Sequence, residues 1–550
     1  MSMTSAMPRL RAAENPTARD RSGSALADLF EPLDYLLACG GDPRLQIDRT
    51  SGANDYGCRP FPCPNTLSFA SCTATSISER AYVHVSHARE SLMRSAIAAG
   101  LEAAFDARIE SMRDELKACL GLSRTDAEVV FSSSGTDAQL QALWLARALL
   151  GPALTTVIVA ADQTGSGTGY TARGRHFNAA TANGIRVRKG EPIEGLADHL
   201  ASMALGALDA AGSFCPRAES DARVLDAVEQ AIANGSKVLL QVMDSSKLGW
   251  RAPSDQCLDE IATRWPDSVQ IVVDACQMRL GRPRLRRYLE RGYIVIVTGS
   301  KFFTGPAFSG ALLVPADLSK ALDAVTEVAT GLSDYSSRSD WPMNWPRLRS
   351  RFPVRANFGQ WLRWEAALAE MWAYYGVPGE FRLRALATFG KQVERIIASS
   401  PSLRLLPCRQ GPEDRGIEDE ELALPTIFPF VIRRHNRVLS LGDCRKIHRA
   451  LACTVRPAGP ANGRDRLDLP TKICLVGQPV ALGDPEREPL AALRICAGAR
   501  LVTEAWSSDP DTTRGNLKRE LGRVGTVVSK IEWLVAHLDG QDFVEACHEA

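Results

Sequence analysis

An amine attacks a carbonyl only when it is unprotonated, and Lys301 stands where that state can be arranged. It follows the run Ile294-Val-Ile-Val-Thr298 across Gly299-Ser300, and Phe302-Phe303-Thr304-Gly305-Pro306 comes after it. The β-branched run reads as a buried strand. An amine at its mouth, among aromatic and small hydroxyl residues, has the surroundings that free a lysine to act as a nucleophile. The plainer reading is a surface lysine on a hairpin. Three upstream segments bear on the choice. Val129–Phe131 leads into Ser132-Ser-Ser-Gly135-Thr136-Asp137 and then an amphipathic helix from Gln139 to Leu150. A strand, a small-residue turn and a helix N-terminus together favour an anion, although Ser134 or Thr136 can equally be an N-cap. Val269–Val273 ends in Asp274-Ala-Cys-Gln277, a carboxylate at the end of a strand where open α/β sheets keep ligands. Val238–Met243 ends in Asp244-Ser-Ser246-Lys247-Leu-Gly249.

An anion cradle, a carboxylate and a lysine, each at a strand end, are what pyridoxal 5'-phosphate (PLP) requires. The cradle takes the phosphate, the carboxylate keeps the pyridine nitrogen protonated, and the lysine forms the Schiff base. On these residues the chain resembles the fold-type I PLP enzymes, within them the class V aminotransferase and cysteine desulfurase group. Asp274-Ala-Cys-Gln277 matches that group's Asp-Gly-Ala-Gln, Thr298-Gly-Ser300 its Ser-Gly-His before the lysine, and Gly305-Pro306 with Gly310-Ala-Leu-Leu-Val314 its downstream pattern. The resemblance covers roughly residues 80 to 540. It implies Lys301 as the catalytic aldimine lysine, Asp274 on the pyridine nitrogen, and Gln277 on the ring 3'-oxygen. It implies Gly135, Thr136, Thr298 and Ser300 about the phosphate, Ser246 beside the cofactor, and Gln163 in the turn over its face. Relatives place a ring-stacking histidine in that turn; Gln163, Thr164 and Gly165 stand there here, with Tyr170 or His176 as substitutes. It further implies an α/β fold with a large, mostly parallel, aspartate aminotransferase-like PLP-binding domain and a smaller C-terminal α/β domain, in a homodimer.

The elements that must position these residues follow in order. Residues 1–45 read as a flexible leader with a short helix near Ala25–Leu37, and 46–80 as an irregular segment near the active site, rich in Gly, Pro, Asn and Asp. The family's habit of passing this segment across the site makes Asn54 and Tyr56 candidate substrate contacts; a loop fixed by prolines is the alternative. The large domain spans 81–330, with strands and helices alternating as parallel sheets require. A helix is expected from roughly Ile77 into Glu102–Leu120. Residues 331–359 read as a loop insertion whose Trp341 and Trp345 look exposed. The small domain runs over 360–550, beginning with a helix from Gln360 to Tyr375. Pro429 argues that strand Thr426–Ile432 is an edge strand. Arg494, in the apolar Leu493-Arg494-Ile495-Cys496, needs an anion. The resemblance makes that anion the substrate carboxylate, and an internal salt bridge is the other reading.

Bulk properties narrow the classes. A formal net charge of +1 argues against nucleic acid or an anionic membrane as partner. No apolar run reaches the roughly 18–20 residues of a membrane span, and the N-terminus has no secretory signal, which suggests a cytoplasmic protein. The 14 cysteines form no CxxC pair and no metal-ligand spacing, so no metal is expected. The Gly165-Ser-Gly-Thr-Gly169 turn is GxGxG rather than a dinucleotide fingerprint. The chemistry expected is that of a PLP enzyme acting on an amino acid through an external aldimine, as an aminotransferase or a lyase at Cα or Cβ. A cysteine desulfurase or C–S lyase is the alternative, although Arg456–Gly463 carries no cysteine for a persulfide loop. From another class, a non-catalytic PLP-fold binding or regulatory protein remains.

Overall fold

The computed structural model describes residues 26–325, 327–407, 421–457, 469–483, 489–538 and 543–546. The expected leader over 1–25 and most of the Arg456–Gly463 loop lie outside them. Among the described residues no helix is long and apolar enough to cross a membrane.

Strand β1 (Leu67–Phe69) comes first, and seven strands then build the large sheet. They are β2 (Glu128–Ser132), β3 (Leu154–Val159), β4 (Leu200–Leu205), β5 (Lys237–Met243), β6 (Val269–Asp274), β7 (Ile294–Thr298) and β8 (Gly310–Val314). Their order is β2-β8-β7-β6-β5-β3-β4. Only β8 runs against the rest, since it is antiparallel to both β2 and β7. The other neighbours are parallel. Strands β3, β7 and β8 are buried along their whole length. Helices cover both faces, which is why these strands read as unbroken apolar runs rather than alternating ones. Six strands thus deliver their C-terminal ends to one edge, and every turn singled out above lies there.

The expected long helix near residue 77 is two helices, Glu79–Ala99 and Leu101–Cys119, parted at Gly100. Gly100 has φ +84°, a conformation that admits glycine and breaks the helical ladder. Both pack on the helix Phe358–Gly376, whose Trp361, Arg363 and Trp364 are fully buried. Arg363 donates to the carbonyls of Phe308, Leu37 and Gly40, and also to that of Cys39. One buried guanidinium therefore ties the N-terminal segment to the loop that follows Lys301.

The smaller sheet holds β9 (Leu403–Leu405), β10 (Ile427–Arg434), β11 (Arg437–Val438), β13 (Cys474–Leu482) and β14 (Leu490–Cys496). Strands β12 (Thr454–Pro457) and β15 (Phe543–Ala546) pair separately. Strand β1 joins the smaller sheet, parallel to β13. The N-terminal segment thus completes the C-terminal layer. Strand β10 is not at the edge, contrary to expectation: β14 pairs with it on one side and β9 on the other. The proline is tolerated because the three-residue β9 ladder stops at Phe430, one residue short of it, and the Pro429 carbonyl still accepts from Leu406 N–H. Trp341 and Trp345 are also not exposed. They are 0% and 1% accessible, and their indole N–H groups donate to Ser336 and Ser319. Trp341 stacks on Phe352 at 4.8 Å and meets Trp144 edge-on at 5.5 Å, so the segment caps the helix Gly135–Leu150 as core.

Candidate active site

The β7–β8 connection holds Lys301. Gly299 N–H donates to Ser309 and Gly305 N–H to Gly299, closing the loop on itself. Thr304 and Phe308 have φ of +61° and +70°, so the path is bent as well as tied. A Cβ on Gly299 would lie 2.3 Å from Ala367 Cβ, and one on Gly305 2.8 Å from the same atom. Glycine is therefore what lets the loop lie flat on the helix Phe358–Gly376. Phe302 and Phe303 are buried edge-on against Tyr374. Between them and Ser300, Lys301 is half-buried, and its amine bonds to none of the described residues.

On the neighbouring strand, Asp274 is 7% exposed. One oxygen accepts Cys276 N–H at 3.1 Å, and the other faces the Gln139 amide at 3.5 Å. Gln139 in turn accepts from the Thr171 hydroxyl at 2.9 Å. This Thr171–Gln139–Asp274 chain orients the carboxylate. Gln139 was not legible as a site residue, because a polar residue one turn into an amphipathic helix reads as solvent-facing. Gln277 donates its amide to Cys72 C=O at 3.0 Å and leaves its side-chain oxygen buried without a partner.

The β2 turn resolves one ambiguity. Ser134 is the N-cap of the helix Gly135–Leu150, accepting Thr136 N–H and Asp137 N–H at 3.2 Å each. The Thr136 hydroxyl takes no part in the cap. It lies 3.9 Å from the Cβ position of Gly165, and the Thr168 hydroxyl lies 3.8 Å from the same point. Gly135 has a packing duty, since a Cβ there would sit 2.6 Å from Cys276 Sγ. Thr298 donates to Cys276 C=O at 2.7 Å, and Ser300 is buried with a hydroxyl that bonds none of the described residues. In the β3 turn both amide atoms of Gln163 and the Thr168 hydroxyl are buried without partners. The candidates of that turn for ring stacking are engaged elsewhere. His176 bonds Tyr335 at 2.7 Å, and Lys189 lies over the Tyr170 ring.

The Ser246 hydroxyl accepts Leu248 N–H at 3.2 Å and Trp250 N–H at 3.0 Å, so it holds its own turn together. Its neighbour Lys247 is the residue that faces the site. Burial, reinforced by the charges of Arg494 and Lys301, lowers its amine to about 8. Arg494 is 2% exposed and has no internal salt bridge among the described residues. It donates to Lys247 C=O at 3.2 Å, to Gln478 C=O at 2.5 Å and to Thr73 Oγ1 at 3.4 Å, and its Nε is unpartnered. Gln478 reaches Asp55 C=O, so the loop of Asn54 and Tyr56 comes to within one residue of this arginine. Asn54 itself caps that loop by accepting from Tyr56 and Cys58 N–H, and Tyr56 packs on Phe308.

No protein-family profile and no curated protein matches the sequence. Among solved structures, the chain is similar to Catharanthus roseus tryptophan decarboxylase in complex with L-tryptophan, with 15% identity, 86% of this chain and 84% of that one covered, and a TM-score of 0.48. It is also similar to the cysteine desulfurase CsdA from Escherichia coli, with 14% identity, coverage of 86% and 95%, and a TM-score of 0.44. The phosphoserine aminotransferase SerC from Cytophaga hutchinsonii has 13% identity, coverage of 85% and 100%, and a TM-score of 0.45.

Proposed function

We propose that the chain is a PLP-dependent enzyme acting on an amino acid, with aminotransferase or lyase chemistry of the class V kind. The observation that carries this is the convergence of Asp274 and Lys301 at the ends of adjacent strands, beside buried polar atoms that lack partners at Gln163, Thr168 and Gln277. Buried polar groups are almost always paired, so three orphans around one strand edge fit a polar ligand that completes them. The residues present suit PLP. Thr136, Thr168, Ser300 and the loop at Gly165 would receive the phosphate, Asp274 the ring nitrogen, Gln277 the 3'-oxygen and Lys301 the aldehyde carbon. When bound, the cofactor supplies the electron sink that lets a bond at an amino-acid α-carbon break.

The chain does the remainder. Lys301 is placed to move a proton at the α-carbon. Arg494, buried with no carboxylate partner among the described residues, is placed to orient the substrate carboxylate. Gln139 fixes Asp274, and the Phe302–Phe303–Tyr374 wall keeps water from one side of the lysine. Asn54 and Tyr56 act indirectly in this reading, by setting the loop that leads to Gln478. A homodimer in the cytoplasm belongs to the same proposal.

The test is the absorbance spectrum of purified protein supplied with PLP, wild type beside Lys301→Ala, before and after borohydride. A visible band, fixed covalently to Lys301 by reduction and missing in the variant, is expected. Lack of a band after PLP addition overturns the reading and brings the non-catalytic alternative forward.

A further inference from the structure

Two arginines beneath the site are buried without a carboxylate. Arg279 is 6% and Arg494 2% exposed, and each leaves its Nε–H unpartnered. Neither makes an ion pair with an acidic side chain among the described residues. Two unneutralised guanidinium groups in one interior are costly unless an anion lies between them. The group beside Arg494 is a cysteine. Cys72 Sγ lies 2.5 Å, and Arg494 Nε 2.8 Å, from the Cβ position of Gly477, so sulfur and guanidinium converge on the space that this glycine leaves open.

A second cysteine is held beside the first. Cys496 lies two residues beyond Arg494 on β14, hence on the same face of the strand. Cys72, Cys496 and Ile427 pack as one small cluster. Arg279 brackets the pair, donating to Ser71 Oγ, the residue before Cys72, at 3.0 Å and to Ala497 C=O, the residue after Cys496, at 2.9 Å. Ser71 donates to the same Ala497 carbonyl at 2.8 Å, closing the clamp. Both cysteines are free thiols. Burial alone raises a thiol, but at Cys72 it is outweighed by the hydrogen bond from Cys496 and the charges of Arg494 and Arg279, which lower it. Cys496 moves the other way, raised by burial and by its neighbour.

We infer that Cys72 and Cys496 form a peroxide-sensitive disulfide site, clamped by Arg279 and Arg494. The Cys72 thiolate attacks one oxygen of hydrogen peroxide, the O–O bond breaks, and hydroxide leaves, giving a sulfenic acid at Cys72. The Cys496 sulfur then attacks Cys72, its proton leaves with the displaced hydroxyl as water, and the S–S bond forms. Two thiols are oxidised by two electrons, and the peroxide is reduced to two waters. Oxidation thereby removes the negative charge facing Arg494. The effect this has on a substrate carboxylate rests on the cofactor reading above, but the disulfide does not.

The experiment treats full-length protein with a small excess of hydrogen peroxide, blocks thiols with N-ethylmaleimide under denaturing conditions, and maps non-reduced peptides by mass spectrometry. A Cys72–Cys496 linked peptide, reversed by dithiothreitol and formed about tenfold faster than oxidation at Cys444 or Cys474, equally buried thiols that no arginine lowers, is expected. In Cys496→Ser, reaction stops at Cys72, and dimedone labels that residue. A folded protein that gives no linked peptide, or a Cys496→Ser variant without dimedone on Cys72, overturns the inference. Neither readout involves PLP, so failure here is distinct from failure of the proposed function.

Discussion

The Lys301 amine bonds none of the described residues, while the loop that carries it is held in place. Gly299, Ser309, Phe302 and Phe303 are each held by backbone or by the helix beneath. That arrangement predicts a specific failure and a specific repair. Gly299→Ala drives a methyl into Ala367 and is expected to cost about 1–3 kcal/mol by overpacking. Gly299→Ala with Ala367→Gly is expected to recover most of it, a coupling that a double-mutant cycle of urea midpoints reads directly. Lys247 gives a pH prediction. Its amine is lowered from 10.5 to about 8, so between those values the unfolded chain binds a proton that the folded chain has lost. Stability then rises with pH across that window, by on the order of 2–3 kcal/mol. Lys247→Met is expected to stabilise at pH 7 and to flatten the rise, measured as the difference in urea midpoint between pH 7 and pH 10. At this scale the sequence was legible in placement, since Asp274 ends its strand and Lys301 follows the end of the next one as expected. It was illegible where the role depends on which neighbour arrives first. The Ser246 hydroxyl is taken by its own turn, and Cys72 and Arg279 become interesting only beside residues more than two hundred positions away.

Elements were legible in proportion to their pattern. The buried parallel strands announced themselves as apolar runs, and the helix Phe358–Gly376 lies within two residues of its expected Gln360–Tyr375 bounds, though it is buried all round over residues 358–368. The segment around Trp341 did not, because tryptophans between prolines look the same whether a helix covers them or water does. Its burial predicts that Trp341→Ala costs about 3–5 kcal/mol, read as a lowered urea midpoint. Salt bridges set a second prediction. Glu365 accepts from Arg108 Nε and one of its terminal nitrogens at 2.6 Å and from the Trp361 indole at 2.7 Å, joining the helices Leu101–Cys119 and Phe358–Gly376. Burial alone raises its pKa, but His84, Arg108 and Trp361 outweigh it and hold the carboxyl below its ordinary 4.5. The stability it supplies is therefore present above that value and lost as pH falls through the lowered one. Glu365→Gln, which leaves Arg108 with Glu115 as its remaining carboxylate, is expected to cost about 1–3 kcal/mol at pH 7 and to lose part of the acid sensitivity, measured by thermal melts at pH 7 and pH 4.

At the scale of the whole molecule, the fold class was readable from the alternation of strands and helices, but the exchange between its layers was not. Strand β1 leaves the N-terminal segment for the C-terminal sheet, and its three residues carry too little pattern to announce a partner so far along the chain. The proposed homodimer is checked by light scattering on protein loaded with PLP, where twice the chain mass is expected.

The Ser71–Ala497 hydrogen bond joins residues 426 positions apart. A chain made at about 5–20 residues per second waits roughly 20–85 s between the two ends of that bond. During synthesis every strand of the large sheet is made before β13 and β14 exist, and Arg279 then has Ser71 and Thr426 but not the Ala497 carbonyl to hold. Assembly of the arginine–cysteine layer is therefore an event of chain completion, and a ribosome stalled before residue 490 exposes a finished large sheet with an unfinished floor.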